Sequence, residues 1–362
     1  MTGAALDVER LKVDYGAVKV LKGVSLSVRG GEFIALLGSS GCGKTTLLRA
    51  MSGFATPVAG AVRVDGLDIT HAPPDRRGMA MVFQSYALWP HMSVAHNIGY
   101  GLRLRRWPRP RIRARVEEIL RMLKLEGFGE RMPGQLSGGQ RQRVALGRAL
   151  AVEPRVLLLD EPLSNLDARI RVDVRHEIKS LQRALGITAI HVTHDREEAM
   201  VMADRIVILD AGTIVQVGSP EEVYNRPASP FVAAFMGAGN SLRLRTRTEG
   251  DAILVEPGAY NGAARLPANG AVLDGDVTAH FRSEAAQLAP PEQPADAAVL
   301  VLRGEVAQTS YPGGFWRYAV RVGDAQFMVD DGKRLSVGDR VAIRLAADAI
   351  YLYPNGRRAA GS

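Results

Sequence analysis

At 362 residues, 46% hydrophobic and 23% charged, the chain has enough apolar material for two or three domains with real cores, which excludes a disordered or low-complexity protein. Its single cysteine, Cys42, excludes an internal disulfide and suits a reducing, cytosolic compartment. The net charge of +8 is local: residues 1–240 hold 32 Lys/Arg against 24 Asp/Glu, residues 241–362 hold 14 of each, and the stretch 103–115 has seven arginines and no acid. Such a cluster, unlike a basic face or groove, argues against nucleic acid as a partner. The opening residues show no apolar stretch of signal-peptide length, and no run approaches the roughly 20 apolar residues that span a bilayer. Any path across a membrane is therefore expected from other subunits.

In chain order, short apolar strands alternate with amphipathic helices up to about residue 236, which predicts a largely parallel sheet covered by helices. The run 33–37 reads as a buried strand. Gly38, Ser39, Ser40, Gly41, Cys42, Gly43, Lys44 and Thr45 follow it and fit the phosphate-binding pattern G-x-x-x-x-G-K-[ST]. A chance match in a chain of this length has a probability on the order of one per cent. Glycines let the backbone wrap a phosphate, and the start of the next helix, expected over 45–51, adds its positive end. Lys44 is placed to bridge the β- and γ-phosphates of ATP and the Thr45 hydroxyl to bind Mg²⁺, with Thr46 next in the loop. Asp65-Gly66 marks a hairpin between 62–64 and 67–69. Val116, Ile119, Leu120 and Leu123 recur at helical spacing.

The strand 156–159 ends in Asp160 and Glu161, two carboxylates at the edge where such sheets bind ligands. Asp160 is expected to hold Mg²⁺ and Glu161 to polarise the attacking water. Ile170, Val174, Ile178, Leu181 and Leu185 mark a helix; Thr188–Val192 reads as a strand, and Asp210-Ala211-Gly212 turns a second hairpin. Beyond about 241 the texture becomes β-rich with Gly/Pro/Asp turns, which predicts a separate small barrel. Aromatics Tyr311, Phe315, Trp316 and Tyr318 are expected in its core, since zero net charge there speaks against single-stranded nucleic acid.

Leu136, Ser137, Gly138, Gly139 and Gln140, followed by Arg141, Gln142 and Arg143, resemble the signature of the ABC ATPases. Tyr15, Gln84, Asp167 and His194 fall in the order of that family's other motifs. The resemblance implies an α/β P-loop ATPase domain over residues 1–236 with a helical subdomain at about 85–152. It further implies a head-to-tail homodimer, each ATP lying between the P-loop of one subunit and Ser137, Gly138, Gly139 and Gln140 of the other. By the same resemblance Tyr15 stacks on adenine, Gln84 contacts Mg²⁺ and water, Asp167 meets the partner, and His194 holds the γ-phosphate and the water. Histidines 71, 91, 96, 176, 191 and 280 show no metal-ligand spacing.

Residues 237–362 resemble the OB-like TOBE domain appended to importer ATPases, through Gly304-Glu-Val-Ala, Tyr311-Pro-Gly-Gly and 336–341; Ser283 stands where relatives carry proline. The stretch 84–93 is similar to importer ATPases for polyamines, ferric iron, aminoethylphosphonate and sugars. This implies a peripheral subunit at the cytoplasmic face of the inner membrane, docked on integral permease subunits and served by a secreted or periplasmic solute-binding protein. The 103–115 cluster is expected to face lipid, permease or solvent. The competing class is a soluble ABC ATPase acting on nucleic acid or ribosomes.

Overall fold

The structure, a computed structural model, describes residues 3–268, 270–294 and 296–355. The chain divides into two compact units, one ending at Val223 and the other starting at Tyr224.

In the first unit a six-stranded sheet runs in the order Thr213–Gly218, Arg205–Asp210, Phe33–Gly38, Thr188–Val192, Val156–Asp160, Met79–Val82. Its pairings are parallel except at the edge hairpin, where Ala211 and Gly212 take left-handed conformations (φ 43° and 86°). Phe33–Gly38, Val156–Asp160 and Thr188–Val192 are buried along their whole length, as expected of parallel strands covered on both faces. Being parallel, they bring Gly38, Asp160 and Val192 to one edge. A second, antiparallel sheet joins Val18–Val28, Leu6–Tyr15, Ala59–Val64 and Leu67–Asp68, with the Asp65-Gly66 turn between the last two. Tyr15 closes its strand and is 51% exposed.

The helices Val94–Leu104, Arg109–Met122 and Gly138–Ala151 pack through Ile98, Leu102, Ile119, Leu120, Val144 and Leu150. The arginine cluster is only partly what the sequence suggests. Arg115 is buried and donates to the carbonyls of Leu150 and Ala151 (3.2 and 3.4 Å) while pairing with Glu118 (2.8 Å). It neutralises the negative end of the helix Gly138–Ala151. Arg105 donates to the Val152 carbonyl at 2.7 Å, and Arg111 stacks on Trp107. Arg115 is thus spent inside the subdomain and cannot face lipid, permease or solvent, whereas Arg105 and Arg111 stay exposed.

The second unit is all-β apart from the short helix Pro230–Phe235, which Ser229 caps, and isolated helical turns. It forms two five-stranded antiparallel sheets over one core of Leu244, Val277, Phe281, Tyr318, Val320 and Phe327, an OB-like curled arrangement; neither strand order closes into a single barrel. Tyr318 is fully buried, its hydroxyl donating to the Lys333 carbonyl and accepting from the Leu335 amide. Tyr311 is not in that core: it is 59% exposed and lies beside Trp316. The expectation of core packing therefore holds for Tyr318 and fails for Tyr311.

Candidate functional site

Residues 38–46 lead from a buried strand into the helix Lys44–Ser52. Gly38 has no room for a side chain, since a Cβ there would lie 2.3 Å from the Leu209 carbonyl oxygen. Gly43 takes φ 108°, which an L side chain resists. The loop borders an open cleft of about 520 Å³ lined by Ser40, Gly41, Gly43, Lys44, Thr45, Thr46, Glu161 and His194, with Val20 at one side. The Lys44 ammonium donates to the carbonyls of Gly38 and Ser39, both at 2.8 Å. Cys42 faces inward, packed in the core beneath the loop.

Thr45 and Asp160 meet at the foot of the cleft, the hydroxyl donating to the carboxylate at 3.0 Å. Burial pushes the Asp160 carboxyl up, and the Thr45 hydrogen bond and the cations Arg49 and Lys44 only partly offset it. A buried carboxylate beside a hydroxyl is a hard-oxygen pair that a small divalent cation satisfies. Among the described residues no group of three or more His, Cys, Asp or Glu could form an all-protein metal cage.

Glu161 sits just past the strand with φ 45°, left-handed for a residue with a Cβ, and its amide donates to the Val192 carbonyl at 3.1 Å. Its carboxylate collects two other candidates: His194 Nδ1 lies 3.2 Å from Oε2, and the Gln84 amide donates to the same oxygen at 3.4 Å. Gln84 also reaches Ser164, and Asn165 donates to the Gln84 carbonyl at 2.8 Å. The segment after Gln84 is held from an unexpected side. Tyr86 and Ala87 both take positive φ, and Arg148 binds both of their carbonyls (2.8 and 2.5 Å). Nothing in the sequence near Arg148 marks it, since its partners lie 61 and 62 residues away.

Ser137, Gly138, Gly139, Gln140, Asp167 and Tyr15 do not line this cleft. Ser137 instead opens the helix Gly138–Ala151 with a capping box: its hydroxyl accepts from the Gln140 amide, and the Gln140 side chain accepts from the Ser137 amide at 2.9 Å. Gly139 is packed so that a Cβ would sit 3.0 Å from Ile170. Asp167 is exposed and spends one carboxylate oxygen on the Ile170 amide, capping the helix Ala168–Leu185. Among the described residues no helix is long and apolar enough to cross a membrane.

Comparison with known proteins gives two matches within the chain, the ABC transporter family over residues 21–164 and the TOBE domain over residues 279–352. The chain is 41% identical over 356 residues to the sn-glycerol-3-phosphate import ATP-binding protein UgpC 1 of Rhizobium johnstonii, covering 97% of this chain and 94% of that one. It is 47% identical over 283 residues to the sulfoquinovosyl glycerol transport ATP-binding protein SmoE of Agrobacterium fabrum (78% and 79% covered). A spermidine/putrescine import ATP-binding protein, PotA of Marinobacter nauticus, is 52% identical over 240 residues (66% and 64% covered).

Proposed function

The chain belongs to the ATP-binding subunits of ABC importers, and from that premise we propose how its own residues bind and hydrolyse ATP. The observation that carries the reading is the convergence of Gln84 and His194 on Glu161 beside the P-loop cleft. As a member of the family the protein is an ATPase that powers a membrane importer and works with permease subunits.

In this reading Lys44 and the loop 38–46 bind the phosphates, and Tyr15, exposed at a strand end, stacks on adenine. Thr45 and Asp160, with Gln84, would hold Mg²⁺, which when bound supplies charge neutralisation at the phosphates. Glu161 polarises the water and His194 steadies it. Ser137, Gly138, Gly139, Gln140 and Asp167 serve the site of a second copy, since they lie off this chain's own cleft at two helix starts whose capping residues, Ser137 and Asp167, are exposed. The working unit is thus a head-to-tail homodimer at the cytoplasmic face of the inner membrane, fed by a solute-binding protein. We assign ATP hydrolysis to residues 1–236, with its helical subdomain at about 85–152, and a regulatory role to 237–362. The cargo class is that named for the relatives, a sugar-like or polyamine solute.

Light scattering of Glu161→Gln tests this. The substitution leaves the phosphate loop and the Thr45–Asp160 pair in place, so ATP binding should persist while hydrolysis nearly stops. A stable dimer with ATP, a monomer with ADP, and loss of the dimer on adding Ser137→Arg are expected. A mutant that binds ATP tightly yet stays monomeric at high concentration refutes the shared site.

A further inference from the structure

Two loops flank Glu161. Residues 164–167 lead into the helix Ala168–Leu185, and residues 193–195 carry His194 into the helix Arg196–Met202. Arg171, one turn into the first helix, reaches both. Its Nη2 donates to the Leu166 carbonyl at 3.1 Å, its Nη1 lies 3.5 Å from the Asp195 carboxylate, and its Nε lies 3.9 Å from that of Glu198. Glu198 is 3% exposed; it accepts from the Thr193 hydroxyl at 2.7 Å and faces His191 at 3.1 Å. The Thr193 hydroxyl in turn accepts from the Asp195 amide at 3.0 Å. The neighbours of His194 on both sides are therefore pinned, while its own side chain is 64% exposed and pairs with Glu161. The Arg171 Nε is buried without a hydrogen bond, so the guanidinium is kept there by its charge on two carboxylates as much as by its donors.

We propose that Arg171 is a positioning residue that locks the His194 loop to the 164–167 turn and so keeps the imidazole in register with Glu161. The proposal rests on the reading of Glu161 and His194 as the pair that handles water. A rigid tie is needed because, among the described residues, the exposed His194 side chain is held by Glu161 alone, and misplacing a reacting group by about an ångström costs on the order of a hundredfold in rate. The same tie means that a displacement of residues 164–167 is passed to His194.

Steady-state ATP hydrolysis by the full chain tests it with Arg171→Met, Arg171→Lys and Asp195→Asn. The last variant cuts the same link by another route and remains informative if Arg171→Met does not fold, because asparagine still accepts the Glu197 and Glu198 amides that Asp195 caps. Arg171→Met and Asp195→Asn should lose kcat on the order of tenfold to a hundredfold while KM for ATP stays nearly unchanged. Arg171→Lys should recover part of the loss. An unchanged kcat in the folded variants overturns the proposal. So does a loss that falls equally on kcat and KM, follows melting temperature and is not relieved by lysine. Glu161→Gln run alongside separates the two levels: normal hydrolysis there defeats the site reading itself, whereas an inert Glu161→Gln beside a fully active Arg171→Met defeats only the role of Arg171.

Discussion

Asp160 and Asp330 are carboxylates near the ends of β-strands, one in each unit, and their surroundings push them in opposite directions. Asp160 is pushed up by burial that its neighbours do not fully offset. Asp330 is held below the usual carboxylate range, chiefly by the Arg317 guanidinium, which grips both of its oxygens at 2.7 and 2.8 Å, and further by the Ser283 hydroxyl. The first carboxylate lacks a matching cation of its own and the second has one. Asp330 is spent on the architecture of its own unit, whereas Asp160 is left incompletely matched by its own, the kind of perturbed carboxylate that clusters at functional sites.

The sharpest way to break this contrast is Lys44→Ala. Hydrolysis should fall by on the order of a thousandfold or more, since among the described residues no comparable cation lines the cleft, while the fold survives with a modest drop in melting temperature from the loss of the bonds to the Gly38 and Ser39 carbonyls. Near-normal activity in the folded variant would sink the phosphate assignment. The converse is expected of Phe281→Ala in the β core, where truncation should cost about 3–5 kcal/mol of stability. Trp316, the only tryptophan of that unit, reports the shift by fluorescence. Tyr15→Ala should raise KM for ATP by an amount worth roughly 1–2 kcal/mol, with Phe tolerated, because stacking needs only a ring face. Equal damage from Phe and Ala would make the hydroxyl, not the ring, the working part.

The smallest effects on stability return to the two aspartates. Because the folded-state pKa of Asp330 is lowered, its contribution is present above the ordinary carboxylate pKa and lost as pH falls through the folded value. Asp330→Asn should therefore remove about 1 kcal/mol at neutral pH, a modest figure because Arg317 is partly exposed, and flatten the acid limb of the unfolding curve. For Asp160 the sign reverses: its raised pKa is a penalty at neutral pH that disappears on acidification through that value. Asp160→Asn should leave the melting temperature unchanged or higher and still abolish hydrolysis. A drop in melting temperature on Asp160→Asn would show that the carboxylate is structural.

What the sequence announces is what is contiguous along the chain. The loop 38–46 and the strand ending at Asp160 are each set by neighbours a few residues apart, so their pattern is legible directly. The hairpin at Asp65-Gly66 follows from two residues that tolerate positive φ, and the one at 211–212 from Gly212, since Ala211 does not favour that region. Arg115, Arg148 and Arg171 are not legible in this way. Arg115 reads as one more member of a basic run, yet it is buried because a helix end 35 residues further on needs a cation. Arg171 meets Asp195 across 24 residues, a pairing that exists only once two helices have docked. The exposure of Tyr311 escapes for a related reason, since an aromatic in a β-rich stretch looks alike whether it faces the core or water.

The left-handed backbone at Glu161 has a consequence for anyone breeding heat-resistant versions of this protein. A residue with a Cβ held there stores on the order of 1–3 kcal/mol that glycine would release at once and asparagine in part. A screen that rewards survival at high temperature and ignores turnover will therefore find substitutions at position 161 early, and each one will discard the carboxylate on which Gln84 and His194 converge. Libraries built for thermal endurance should hold this codon fixed, because here one dihedral angle sets durability against work.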